Sequence, residues 1–82
     1  MGKADKILSQ MISNPRGKWR IEDIVTVGRA CGLTVLKPGS GSHYKIAHPS
    51  QDEILTVPAH RPIKAVYIRK FVAMVRRVKG EA

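Results

Sequence analysis

Cysteine is almost missing from this chain. Cys31 stands alone among 82 residues, which excludes an intramolecular disulfide and any thiolate metal cage built from this chain. A reducing cytoplasm is the simplest compartment for such usage. Acids are scarce as well: six Asp and Glu stand against fifteen Lys and Arg, for a net charge of +9 and a pI near 10.3. A surplus of that size speaks about partners rather than fold, and a polyanion, most commonly nucleic acid, is the natural one. Long apolar runs are lacking too. None approaches the ~18 residues of a membrane span, and Met1 to Asp5 lacks an apolar signal core, so a cytoplasmic protein without a membrane partner is expected. No trio of His, Asp and Glu has ligand spacing, so neither a metal nor another cofactor is expected.

What remains is a length that allows one domain, 1–82, with a core of two or three helices on a short sheet. Ile7, Leu8, Met11 and Ile12 form one stripe on a helix over 4–13, which Asn14-Pro15-Arg16-Gly17 ends. Trp19, read as a cap on the core between the first two helices, opens a second helix over 20–31. Ile21, Ile24, Val25 and Gly28 share one side of it, Glu22 and Asp23 suit its N-terminal dipole, and Gly32 stops it. Cys31, near its end, is read as a small core residue. Segments 33–37, 43–48 and 54–57 are rich in strand formers, and the short connections between them require antiparallel pairing. After the prolines at 58 and 62, a helix over 64–79 carries Ile68, Phe71, Val72, Val75 and Val78 on one face and Arg69, Lys70, Arg76 and Arg77 on the other. The predicted fold class is α+β, in the order α-α-β-β-β-α, with the helices on one face of a three-stranded antiparallel sheet and the other face open.

The stretch that organises the functional reading is Gly39-Ser40-Gly41-Ser42-His43-Tyr44-Lys45-Ile46. Small residues with free backbones and hydroxyl donors deliver a histidine onto a strand. Alternation puts His43 and Lys45 on one face and turns Tyr44 and Ile46 toward the core. A side chain that changes charge near neutrality therefore sits beside a cation, a pairing suited to phosphate. His48 ends the strand on the opposite side and His60 lies between two prolines, so both carry less weight. One imidazole supplies only about 10²–10⁴-fold of acid–base help. That is too little for metal-free DNA hydrolysis, but RNA brings its own nucleophile, the 2′-hydroxyl. No acid is placed to complete a Ser-His-Asp triad, since Asp52 and Glu53 fall in a polar connection.

Gly41-Ser42-His43-Tyr44-Lys45-Ile46, His48-Pro49, Leu55-Thr56-Val57-Pro58 and the basic last helix together resemble the HicA toxins of bacterial toxin–antitoxin modules. The likeness runs from about Trp19 to Val75, and residues 1–17 resemble the N-terminal extension of longer members. It implies a double-stranded-RNA-binding-like fold, mRNA interferase activity with His43 as the catalytic residue, mRNA as substrate and a HicB-like antitoxin as partner. Gly41, Ser42, Lys45, Arg61, Lys64, Arg69 and Lys70 are read as the RNA and phosphate contacts around that histidine. The alternative is a non-catalytic RNA-binding module; a third reading is a domain whose positive face serves only an acidic protein.

Overall fold

The computed structural model describes residues 2–39 and 41–80; Ser40 of the Gly/Ser loop lies outside the described residues. Helix α1 (Lys3–Ser13) buries Ile7, Leu8 and Met11. Ile12, expected in the same stripe, is exposed instead, because at about 100° per residue it lies roughly 90° from the centre of the other three. The helix closes at Asn14, whose carbonyl accepts from the Gly17 N–H (3.1 Å) and the Trp19 indole N–H (2.8 Å). Trp19 is thereby laid, half-buried, against the core, as its sequence position leads one to expect.

Helix α2 (Ile21–Ala30) starts with the Asp23 carboxylate accepting from the Arg20 N–H at 3.0 Å, which satisfies one of the amides that a helix start leaves open. It ends in a Schellman arrangement: the Leu33 N–H reaches the Gly28 carbonyl (2.9 Å) and the Gly32 N–H reaches that of Arg29 (3.2 Å), with Gly32 at φ +81. Its buried residues are Ile24, Val27 and Gly28, so Val27 takes the central place expected of Val25. Gly28 is the contact point with the sheet, since a Cβ there would come within 3.0 Å of Val35 Cγ2.

Strands β1 (Thr34–Leu36), β2 (His43–Ala47) and β3 (Leu55–Pro58) form an antiparallel meander in the order β1-β2-β3. The register pairs Ile46 with Val35 and Leu55, and Tyr44 with Val57, so these residues line the inner face. Ile54, assigned by sequence to the third strand, precedes it and is 59% exposed. Helix α3 (Ala65–Val78) buries Ile68, Phe71, Val72, Met74 and Val75. The element order and the helix-backed open sheet are those expected from the sequence.

Helices α2 and α3 contact β1 and β3, and α1 packs across α2 and α3. Ile7, Leu8 and Met11 join the same apolar cluster as Ile46, Val57 and Phe71, so the N-terminal segment is an integral part of the core. Among the described residues no polar or charged side chain is buried. Every ionisable group described therefore reaches the surface, and any chemistry must take place there.

Candidate nucleic-acid interface

The strand register composes the helix-free face of the sheet. It holds Thr34 and Leu36 from β1, His43, Lys45 and Ala47 from β2, and Thr56 and Pro58 from β3. His43 and Lys45 are both exposed, while Tyr44 between them is half-buried and Ile46 fully buried. Their side chains lie two residues apart on one face, about 6.6 Å along the strand. None of the strand residues is acidic, so nothing in the sheet opposes an anion approaching this face.

The His43 end of the sheet is shaped by two connections. Gly41 has φ +83, a conformation that disfavours side chains, although the space around it is open. The Ser42 carbonyl accepts from the Ala59 N–H at 2.7 Å, carrying the β2–β3 pairing one residue past Pro58. The chain then passes through His60 and Arg61 and is pinned where the Ile63 N–H donates to the Trp19 carbonyl (2.8 Å). Arg61 pairs with Glu22 at 3.2 Å, both largely exposed, and Lys64 is the residue from which α3 starts.

The seven expected phosphate contacts are thus divided. Gly41, Ser42 and Lys45 stand with His43, and Arg61 and Lys64 lie in the connection that leaves the same end of the sheet. Arg69 and Lys70 are exposed on α3, which packs on the opposite face, and Arg69 lines a groove against α1 rather than the sheet. Arg77 is held at the far end of the sheet by Gln51 Oε1 (3.0 Å) and Glu53 (3.9 Å) of the β2–β3 connection.

The other histidines separate along the same axis. The His48 Nδ1 accepts from the Ser50 N–H (3.0 Å) and lies 2.7 Å from the Ser50 hydroxyl, which ties it into the turn after β2. His60 is exposed just past β3, so it stands at the His43 end and His48 at the other. Among the described residues no group of three His, Cys, Asp or Glu is placed to hold a metal ion. Cys31, at the end of α2, is half-buried against the core as expected.

Leu36 is the residue of this face that sequence reasoning passed over. It is 54% exposed and directly opposite Lys45, giving the basic surface an apolar neighbour. Alternation alone would have found it, because Val35 faces inward and Leu36 must then face out. Comparison with protein-family models, with curated proteins and with solved structures finds no match to this chain.

Proposed function

We propose that this chain is a toxin of the HicA kind, an endoribonuclease of the bacterial cytoplasm that cuts messenger RNA with one catalytic histidine, His43, and without a metal ion. The observation that supports this reading most is the position of that ring: exposed at the first residue of β2, on the helix-free face, with Lys45 beside it. RNA lying across this face offers its 2′-hydroxyl to His43. The 2′ oxygen bonds to phosphorus, the bond from phosphorus to the 5′ oxygen breaks, and the products are a 2′,3′-cyclic phosphate and a 5′-hydroxyl. His43 moves one of the two protons in that exchange, taking it from the 2′-hydroxyl or giving it to the departing 5′ oxygen, and water at this open face carries the other. Lys45 offsets the charge that gathers on the phosphate as the new bond forms. The Gly41–Ser42 turn lets a phosphate pass close to backbone. A helix-backed open sheet is also what a double-stranded-RNA-binding-like domain requires.

The resemblance to HicA toxins also implies a partner that covers this site. A HicB-like antitoxin with an acidic surface would compete with RNA for this face, as the net charge of +9 favours. The test is incubation of the purified protein with single-stranded RNA in EDTA. Shortened RNA is expected, and His43→Ala is expected to stay folded and bind RNA while cutting about 10²–10⁴-fold more slowly. RNA that is retarded but intact would replace the enzyme with a non-catalytic RNA-binding module. Negligible RNA affinity would leave a domain that serves an acidic protein alone.

A further inference from the structure

Away from the sheet, α1 and α3 enclose a groove of about 470 Å³. Between its charged residues the lining is apolar: Ile12, Pro15 and Ala73 reach the groove surface, and Met11 and Val72, both buried, lie beneath them. Ile12 keeps 47% of its surface exposed there, although it belongs by type to a core. Arg69 and Arg76 stand on the rim, both exposed and neither in an ion pair among the described residues. They are seven residues apart on one helix, which sets them about 10.5 Å from each other along the axis.

We propose that this groove docks an acidic amphipathic helix of a partner protein, with its apolar stripe on Ile12, Pro15 and Ala73 and its carboxylates against Arg69 and Arg76. The arginine spacing equals two turns of such a helix, so acids at i and i+7 meet both while residues between them at i+3 and i+4 reach the floor. A nucleic acid would use the arginines but would gain little from an aliphatic floor beneath its phosphates. A second copy of this chain would bring another +9 to a basic rim. The groove lies on the helix side of the sheet and His43 on the other, so the proposal does not depend on the ribonuclease reading.

The test uses the full chain and a synthetic helical peptide of about 15 residues, long enough to hold a helix, with Leu at i+3 and i+4 and Glu at i and i+7. A peptide of the same composition in scrambled order is the control. Calorimetry is expected to show saturable binding in the roughly micromolar range, with amide shifts centred on Ile12, Ala73 and Arg76 and not on Lys45. Ile12→Ser and the double variant R69E/R76E are each expected to weaken it at least about tenfold. Both alter exposed side chains, and thermal melting checks that each variant remains folded. RNA binding by Ile12→Ser is expected to match that of the parent chain. Equal binding of the scrambled peptide, full retention by Ile12→Ser, shifts centred on the sheet, or a free chain that sediments as a dimer with Ile12 protected would each overturn the proposal.

Discussion

Replacing Lys45 by Gln separates the roles assigned to the two exposed side chains of β2. Lys45 lies opposite Leu36 and Thr56 on the open face, with no ion pair among the described residues. As the 2′ oxygen joins the phosphate, about one unit of negative charge is added near it. A cation about 6 Å away stabilises that increment by about 0.7 kcal/mol at the dielectric of water and about 2.8 kcal/mol at an effective value of 20. The face is open, so the smaller figure governs, which corresponds to a loss of roughly threefold in kcat, rising to about a hundredfold if bound RNA excludes water. Losing one phosphate contact should also reduce the slope of log K against log salt by about 0.7. Single-turnover cleavage of a labelled RNA, with binding titrated at several salt concentrations, gives both numbers. A loss well beyond about a thousandfold would exceed what a cation at this distance supplies and would make Lys45 the proton carrier in place of His43. An unchanged rate together with an unchanged slope would mean that RNA does not cross this face.

Three further outcomes test the scaffold. Met11 is fully buried, so Met11→Ala should cost about 2–5 kcal/mol in urea unfolding, whereas a native-like midpoint would show α1 to be a dispensable attachment. Gly28→Val pushes a branched side chain into the 3.0 Å approach between α2 and Val35, and should cost about 1–3 kcal/mol or more by the same assay; unchanged stability would contradict the close helix–sheet contact. Glu22→Ala breaks the pair with Arg61, but side chains 58% and 68% exposed hold little energy between them, so the change should stay below about 1 kcal/mol in thermal melting, and a larger loss would reveal a tighter corner than the geometry describes.

How far the sequence could be read depended on which physical signal each residue carries. The β2 segment was legible because one side of it meets the core and the other meets water, and a period of two follows directly. Gly32 and the Asp23 carboxylate were legible because helix ends demand specific partners. Ile12 is expected in the apolar stripe of the first helix and Ile54 in the third strand because apolar type does not say how wide a neighbouring surface is; Val27 and Met74 fill core places for the same reason. Arg69 and Lys70 were grouped with His43 because a helical wheel defines a polar side without saying which layer it overlooks. The core places α3 behind the sheet, and its outward face cannot also be the open face. Alternation with Val35 turns Leu36 outward, but its place beside Lys45 comes from the cross-strand register, a relation between distant segments.

The proposed chemistry is tested most directly by an RNA bearing one 2′-deoxy sugar at a mapped cleavage position, incubated with the protein in EDTA. The account predicts that the unmodified strand is cut to a product with a 5′-hydroxyl, ready for direct phosphorylation by a kinase, and that the modified strand survives at that position. Cleavage of the modified strand at the same rate, or a 5′-phosphate on the product, would contradict the assignment of His43 to proton transfer at the 2′-hydroxyl.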